Sequence, residues 1–408
     1  MKKIFFLFLP LLLVLTGCSP ENKNNIITQP FIEEIEEKEE IYVKSVWITY
    51  YELSNMIEDK SEGEFKKEVK KVYKELKEMG FNTVTVQVRA FADAFYKSDY
   101  FPVSKYCFGK QGSELKFDIL EIMCALAEEY NLRIEAWVNP YRVSFDNDVE
   151  KLSDDNIAKK WLNNKKTKSN VFVYDKGIYF NPASKDVTDL IINGAVEIAQ
   201  NYNVCAIHFD DYFYPSKTKN IDKAEYEEYK NDGGEKSLDN FRREKVSDMI
   251  KSVNKAIKKV NSDIKFGISP ASNIENDYND LYANVEEWAK DSDYCDYICP
   301  QIYFGFKNVS QPFMFTTKKW IGITTNDLYI GLPLYKANRK DKYAAVEDKA
   351  AINEFKNNDN IIARQINYLA KLDDVKGFYI FSYGSLSDEN CKNEVENMIK
   401  AMQNKSPD

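Results

Sequence analysis

Short segments in which apolar and polar residues alternate recur along this chain, and longer segments with apolar residues every three or four positions separate them. The first pattern predicts strands and the second predicts amphipathic helices. Strands that alternate with helices are typical of a parallel sheet with crossover helices. The eight predicted strands are Val43–Thr49, Phe81–Val88, Leu132–Val138, Val204–Asp210, Asp263–Ser269, Asp296–Tyr303, Asp327–Tyr335 and Val375–Tyr383.

Eight strand and helix units predict a closed (β/α)₈ barrel that occupies residues 41–403. Such barrels commonly run to 250 residues and beyond when their loops carry insertions. Two stretches rich in Lys, Asn and Asp predict insertions after the third and fourth strands, at Ser144–Val173 and Ser216–Leu238. Both insertions are expected at the carboxyl ends of the strands, where barrels of this kind carry their functional loops.

The two faces of the predicted strands differ in a way that points to a functional lumen. A barrel strand directs alternate residues toward the helices and toward the lumen. In the second strand Val86 is predicted to face the helices, while Gln87 and Arg89 face the lumen. In the fourth strand Asp210 shares the parity of His208 and is expected to point inward. A lumen with so many polar and aromatic residues predicts a site at its upper rim.

Adjacent carboxylates at the end of the fourth strand are the first candidates for catalysis. Asp210 and Asp211 are like charges side by side, which raises the pKa of at least one of them and favours a proton donor. Glycoside hydrolysis needs carboxyl groups on both sides of the scissile bond and no metal. Asp93, just after the second strand, is the preferred partner carboxylate, and a loop-capping role is its alternative interpretation.

Aromatic and amide side chains near the strand ends suit a sugar substrate. Rings pack against the apolar faces of sugars, and amides both donate and accept hydrogen bonds. Each of these residues alone could equally be a packed core residue. The interpretation as a sugar site therefore depends on their common position near the ends of the strands. The predicted substrate-binding residues are Trp47, Gln87, Arg89, Asn139, Tyr141, Tyr212, Gln301, Tyr303, Tyr335 and Tyr383.

Composition argues against several other classes of function. A net charge of −9 with dispersed lysines argues against a nucleic-acid partner, which requires clustered Lys and Arg. His208 is the single histidine, whereas catalytic zinc normally takes two or three, so no metal or other cofactor is predicted. An all-carboxylate Mg²⁺ or Ca²⁺ site remains an alternative. The cysteines after Cys18 are irregularly spaced, which favours free thiols over a disulfide framework.

The beginning of the chain predicts export and lipid attachment. Two lysines and the apolar run Ile4–Leu15 are typical of a secretory leader, which here would comprise residues 1–17. Leu15-Thr16-Gly17-Cys18 is similar to a bacterial lipobox, so Cys18 is expected to carry the lipid. Residues 18–40 are rich in Asn, Glu and Lys and predict a solvated tether. The protein is therefore expected to be extracytoplasmic and anchored to a membrane of the cell envelope.

Five motifs in this order resemble the glycosyl-hydrolase-like family 10 of bacterial envelope lipoproteins. The resemblance implies a (β/α)₈ glycosidase whose site surrounds Asp210 and Asp211, acting on cell-wall glycan that includes peptidoglycan strands without stem peptides. A non-catalytic wall-glycan-binding lipoprotein stays open because the fifth strand ends in Ser269 and Pro270 without an acid, and a metal-dependent polysaccharide deacetylase is the third alternative. The sequence predicts no oligomeric state. The motifs are Phe81–Arg89 with Asp93–Tyr96, Ala136–Arg142, His208–Pro215, Asp296–Tyr303 and Tyr329–Tyr335.

Overall fold

A closed barrel of eight parallel strands forms the centre of the computed structural model, which describes residues 41–210, 213–218, 220–345 and 347–403. The leader, the tether, Cys18, Asp211 and Tyr212 lie outside the described residues. Around the ring the strands follow the order β1, β11, β10, β9, β8, β7, β3, β2, which confirms the predicted fold class. The barrel strands are β1 Val43–Ile48, β2 Thr83–Arg89, β3 Arg133–Val138, β7 Ala206–Phe209, β8 Lys265–Ile268, β9 Tyr297–Ile298, β10 Asp327–Leu332 and β11 Val375–Ile380.

Helices follow the barrel strands and cover the outside of the barrel. The longer ones begin at polar caps; Ser61, for example, forms a capping box with Glu64 at the start of α2 (Glu62–Met79). In the described part of the chain no helix is both long and apolar enough to cross a membrane. The helices are α1 Tyr50–Ile57, α2 Glu62–Met79, α3 Lys105–Phe108, α4 Ile119–Glu129, α5 Ile157–Leu162, α6 Lys185–Asn201, α7 Lys223–Asn231, α8 Leu238–Val260, α9 Ile274–Asp280, α10 Val285–Trp288, α11 Phe313–Ile323, α12 Lys349–Ile352, α13 Ile361–Leu369 and α14 Lys392–Gln403.

Both predicted insertions carry secondary structure of their own. After β3 the chain forms a small antiparallel sheet of three strands, in the order β4, β6, β5, together with α5. These strands are β4 Arg142–Ser144, β5 Val171–Tyr174 and β6 Gly177–Phe180. After β7 the insertion contains α7 and leads into the long helix α8. The two insertions therefore add material to the loops after β3 and β7.

The two faces of the barrel strands pack into two separate cores. Between the strands and the helices lies a large apolar core that includes Val86 and Ile298. The lumen is filled by a second, mainly aromatic cluster. Gly267 leaves room for this cluster, because a Cβ at that position would come within 1.9 Å of the Tyr297 ring. The lumen cluster consists of Val43, Trp47, Trp137, Ala206, Tyr297, Cys299, Tyr329 and Tyr379.

Arg89 departs from the predicted alternation of β2. The pairing of β2 with β3 shifts register between Gln87 and Arg89, so that Arg89 lies opposite Val138 instead of Asn139. One extra residue in a strand reverses the faces of the residues that follow it. The Arg89 side chain is therefore buried outside the lumen, with its guanidinium 4.2 Å from the Phe101 ring centroid. The structure thus corrects the prediction that Arg89 faces the lumen, and the side chain does not line the cavity above it.

Glu52 joins the first and last segments of the barrel at its carboxyl-terminal rim. It lies in α1, and its Oε2 accepts a hydrogen bond of 2.7 Å from the backbone N–H of Thr49. Its Oε1 accepts hydrogen bonds from the Ser382 hydroxyl, at 2.6 Å, and from the backbone N–H of Gly384. One carboxylate thus connects the loop after β1 with the loop after β11.

Candidate active site

A cavity of about 310 Å³ opens at the carboxyl-terminal ends of the barrel strands. Asp210 is the one carboxylate among its described lining residues, and it is only 7% exposed. Gln87, Ser269 and Gln301 add polar groups to the lining. A cavity at this end of a barrel is where enzymes of this architecture bind their substrates.

Two amide side chains hold the carboxylate of Asp210. The amide nitrogen of Asn139 donates to Oδ2 at 2.8 Å, and that of Gln301 donates to Oδ1 at 3.3 Å. Gln87 in turn donates to Asn139 at 2.7 Å and accepts the backbone N–H of Tyr50 at 3.0 Å. Residues at or just beyond the carboxyl-terminal ends of β2, β3 and β9, together with the first turn of α1, therefore fix the orientation of one carboxylate.

His208 lies in the lumen directly below Asp210 and is fully buried. Its Nε2 is 3.3 Å from the indole nitrogen of Trp47, which donates, so its Nδ1 carries the proton toward the Tyr297 hydroxyl at 3.0 Å. Burial lowers the pKa of His208 to about 3, although the charge of Asp210 opposes this effect. His208 is therefore a neutral, hydrogen-bonded support below Asp210.

Glu135 is a second buried carboxyl group and lies in the lumen below His208. It accepts hydrogen bonds from the Thr85 hydroxyl at 2.7 Å and from the Tyr379 hydroxyl at 2.8 Å. Burial raises its pKa, and these hydroxyls act in the opposite direction. Glu135 thus belongs to the packed interior of the barrel and does not line the cavity.

Aromatic side chains form most of the cavity wall. Trp47 contacts the Phe381 ring at 6.0 Å between centroids, and Phe381 contacts Tyr303 at 5.8 Å. On the other side Tyr50 and Tyr51 lie 3.9 Å apart, and Tyr51 is 57% exposed. Flat rings around a carboxylate are typical of sites that hold sugars. The aromatic lining residues are Trp47, Tyr50, Tyr51, Trp137, Tyr303 and Phe381.

A buried ion pair anchors the loop that follows β7. Arg242 in α8 and Asp222 are both fully buried, and their charged groups are 2.7 Å apart. The same guanidinium donates to the backbone carbonyl of Thr218 at 2.6 Å, and Asp222 also accepts from the Tyr214 hydroxyl at 2.9 Å. The loop that carries Asp211, itself outside the described residues, is therefore tied to α8 at several points.

The structure brings together half of the predicted substrate-binding residues. Trp47, Gln87, Gln301 and Tyr303 line the cavity, and Asn139 contacts Asp210 from its edge. Tyr335 does not line it, but its ring lies 5.9 Å from both Tyr303 and Phe381 at the rim. Tyr212 lies outside the described residues.

Two predicted tyrosines face other parts of the molecule. Tyr141 is buried in the outer core, because the chain leaves the lumen at Asn139 and turns into β4. Tyr383 is half buried and lies near Glu52, Glu68 and Glu75, on the side of the first two helices. The structure therefore contradicts a place for either side chain in the Asp210 cavity.

Asp93 lines a second, smaller cavity of about 170 Å³ and not the cavity of Asp210. It is 2% exposed, and the Gln111 amide donates to its Oδ2 at 2.8 Å. Burial raises the pKa of Asp93 to about 6, against the smaller opposing effects of Gln111 and the Ser104 hydroxyl. The prediction that Asp93 is the partner carboxylate of Asp210 is not supported by this placement.

Sequence reasoning missed four aromatic lining residues. Tyr50 and Tyr51 begin α1 just after β1, and Phe381 directly follows β11, so their position near strand ends was available as a signal. Trp137 lies on the same face of β3 as Glu135, which faces the lumen, so strand alternation could have predicted its position. Among the described residues no three His, Cys, Asp or Glu side chains are grouped as a metal site requires.

The fold and the site define the class of this protein. It is a parallel (β/α)₈ barrel with an acidic, aromatic-lined cavity at the carboxyl ends of its strands. Residues 42–347 match the family model described as Glycosyl hydrolase-like 10, and the chain belongs to this family. Residues 1–19 match a prokaryotic membrane lipoprotein lipid attachment site. These matches confirm the resemblance that the motifs predicted.

Two curated relatives are named as glycosyl hydrolases. Glycosyl hydrolase YngK of Bacillus subtilis (strain 168) is 33% identical over 342 residues, which cover 77% of this chain and 64% of the relative. Glycosyl hydrolase DigH of Escherichia coli (strain K12) is 29% identical over 299 residues, which cover 65% of each chain. The chain thus spans slightly less than two thirds of the length of these relatives.

A solved structure with a similar fold is the PgaB (BpsB) glycoside hydrolase domain from Bordetella bronchiseptica. The TM-score is 0.60, and the match covers 89% of this chain and 99% of that domain. The two sequences are only 11% identical, so the likeness concerns the fold alone.

Proposed function

We propose that this chain is a lipid-anchored glycoside hydrolase that cleaves a polysaccharide of the cell envelope, with peptidoglycan glycan strands as the favoured substrate. The observation that carries the proposal is the carboxylate of Asp210 at the floor of a cavity walled by aromatic rings. Membership of the Glycosyl hydrolase-like 10 family supports the reaction class. The preference for peptidoglycan follows from the family resemblance and from the envelope location that the lipid attachment site suggests.

In the proposed reaction, Asp210 and Asp211 divide the acid role and the nucleophile or base role between them. Two amide donors to the oxygens of Asp210 fix the orientation of its carboxylate in the cavity, which suits a nucleophile or a base. Asp211 then provides the proton for the departing sugar oxygen. The rings around Asp210 hold the sugar. A water molecule, either activated by Asp210 as the base or cleaving the glycosyl intermediate on Asp210 as the nucleophile, supplies the hydroxyl of the new reducing end.

The lipid anchor places this activity at a membrane surface in the proposal. Residues 1–17 serve as the leader, Cys18 carries the lipid, and residues 18–40 act as a tether to the catalytic domain. A diacylglycerol anchor buries two acyl chains, and two chains are what stable membrane attachment requires. The glycan substrate would then lie within reach of the tethered enzyme.

Incubation of residues 41–408 with peptidoglycan strands freed of stem peptides tests the proposal. We expect new reducing ends from the wild-type protein and at least a hundredfold loss in Asp210→Asn and Asp211→Asn, since removal of acid or base catalysis alone costs about 10²–10⁴-fold. The control is Asp154→Asn, because the side chain of Asp154 is 97% exposed in the insertion after β3. That variant should cleave normally.

The same assay separates the proposal from its alternatives. Retention of glycan on the protein without any new reducing ends contradicts catalysis and supports a wall-glycan-binding lipoprotein. Chelator-sensitive release of acetate, with the glycan backbone intact, supports a deacetylase. Cleavage of other wall glycans but not of peptidoglycan keeps the reaction class and rejects the favoured substrate.

A further inference from the structure

The cavity that contains Asp93 lies beside the Asp210 cavity, and a row of aromatic rings connects the two. Tyr51 lines the first cavity and contacts Tyr106, which lines the second, with 5.9 Å between ring centroids. Tyr106 stacks on Phe91 at 6.0 Å, and Phe91 contacts Phe145 at 5.2 Å. The two cavities are therefore neighbours on either side of the contact between Tyr51 and Tyr106.

A buried carboxylate oxygen in the second cavity has unused hydrogen-bonding capacity. Gln111 satisfies Oδ2 of Asp93. Oδ1 is buried, and among the described residues no donor, the nearby Ser104 hydroxyl included, meets the distance and angle of a hydrogen bond to it. A buried polar atom without a partner is costly and uncommon in native proteins. A ligand hydroxyl or amide N–H that donated to Oδ1 would remove this cost.

Phe145 supplies an exposed ring at the edge of the same cavity. It is 52% exposed, yet its position is fixed by the edge of Phe91 and by the guanidinium of Arg142, which lies 4.5 Å from its ring centroid. A large apolar ring that is both exposed and held in place is suited to pack against the apolar face of a sugar.

We propose that this second cavity is a distal saccharide subsite, in which a sugar of the bound glycan donates a hydrogen bond to Asp93 and packs on Phe145. The proposal rests on the glycosidase function proposed above and adds to it a dependence on chain length. A glycan long enough to cross Tyr51 and Tyr106 gains contacts that a short glycan lacks. Long chains are therefore the preferred substrates.

Cleavage of glycan fragments of increasing length by wild-type protein and Phe145→Ala tests this subsite. In wild type, kcat/KM should rise once fragments are long enough to reach the second cavity. In Phe145→Ala that rise should shrink about threefold to tenfold, the loss expected for one ring contact, while the shortest cleaved fragment is unaffected. The control is Tyr278→Ala, because Tyr278 is another exposed aromatic residue whose ring contacts an arginine, here Arg243, and it lies outside the row of rings.

A second variant, Asp93→Asn, examines the hydrogen bond separately. Gln111 would occupy the single amide oxygen, so that the amide nitrogen replaces Oδ1 and no acceptor remains for the sugar. We expect the same length-dependent loss as in Phe145→Ala. A purely loop-capping role for Asp93 predicts instead an equal loss for all fragments, accompanied by lower stability.

Failure of the subsite and failure of the glycosidase function give different results. Equal kcat/KM ratios at every fragment length in Phe145→Ala overturn the subsite and leave the glycosidase intact. If the wild type cleaves no fragment, the glycosidase proposal fails, and affinity electrophoresis with the same fragments tests the subsite. Weaker binding of only the long fragments to Phe145→Ala supports it, and unchanged or absent binding overturns it.

Discussion

His208 shows how burial sets the charge of a single residue. Its pKa of about 3 means that the folded protein keeps the imidazole neutral, whereas the unfolded chain takes up a proton below about pH 6.5. As pH falls from 6.5 toward 3, the unfolded state therefore binds more protons, and this residue makes the folded state less stable. Above pH 6.5 the contribution of His208 to the free energy of unfolding no longer changes with pH.

We expect the replacement His208→Gln to reduce the acid sensitivity of the protein. Between pH 7 and pH 4.5 the titration of His208 should lower the free energy of unfolding of wild type by about 2–3 kcal/mol, and the variant should lack this loss. Urea unfolding at both pH values measures the difference. All other titrating groups are common to both proteins, so parallel pH profiles would contradict a depressed pKa at His208.

The site residues that sequence reasoning placed correctly are those whose positions follow from strand parity alone. Trp47 and Gln87 lie on lumen-facing positions of β1 and β2, and Gln301 forms isolated bridges just beyond the end of β9; all three line the cavity. Asp93 was misplaced because it follows a strand by several residues, and the path of a loop is not fixed by periodicity. Its separation from Asp210 depends on tertiary packing that a single sequence does not specify.

At the scale of elements, α6 and β2 are fitted together through a glycine. A Cβ at Gly194 in α6 would lie 2.1 Å from Nη1 of Arg89 and 2.7 Å from Cε2 of Phe101. Glycine in a helix interior costs about 1 kcal/mol relative to alanine. Here the absent methyl group provides the space in which the buried guanidinium of Arg89 lies.

Gly194→Ala should therefore destabilise the protein although alanine is the better helix former. We expect a net loss of about 1 kcal/mol in the free energy of unfolding, since forced overpacking typically costs about 1–3 kcal/mol and the better helix propensity of alanine recovers about 1 kcal/mol. The matched control is Gly63→Ala in α2, where no atom lies within 4 Å of the added Cβ. Chemical unfolding should show the control unchanged or slightly more stable; a stabilised Gly194→Ala would contradict the tight fit.

All eight barrel strands were predictable, because their alternation is dictated by a lumen and an outer core that must both be filled. The faces of Val86 and Gln87 followed from the same rule. The irregularity before Arg89 was not predictable, since a register shift leaves no separate mark in a run of alternating residues. The periodicity of the sequence therefore predicts the strands. Register shifts within the strands determine which individual side chains reach the site.

At the scale of the whole molecule, Glu52 helps to keep the barrel closed at its functional end. Glu52→Ala would leave the N–H groups of Thr49 and Gly384 and the hydroxyl of Ser382 without this acceptor. Loss of a helix cap costs about 1 kcal/mol, and each further polar group left unsatisfied adds to that. We expect a total loss of about 2–4 kcal/mol and slower glycan cleavage, because Tyr50 and Phe381 line the cavity nearby.

Glu62→Ala serves as the comparison for Glu52→Ala. The Glu62 side chain is 51% exposed and pairs with Lys66 on the surface of α2, so its removal should change stability by no more than about 0.5 kcal/mol. Thermal unfolding of both variants and their rates of glycan cleavage provide the measurement. Equal behaviour of the two variants would mean that Glu52 has no special role in closure.

The described chain enters the barrel at the amino-terminal end of β1, and Asp210 lies beyond the carboxyl-terminal end of the parallel strand β7. A barrel strand of six residues is about 20 Å long, so the entry point and the cavity mouth are separated by roughly the height of the barrel. Coupling of the domain to a bead or sensor chip through residue 41 therefore leaves the cavity mouth facing the solvent, available to insoluble polymers.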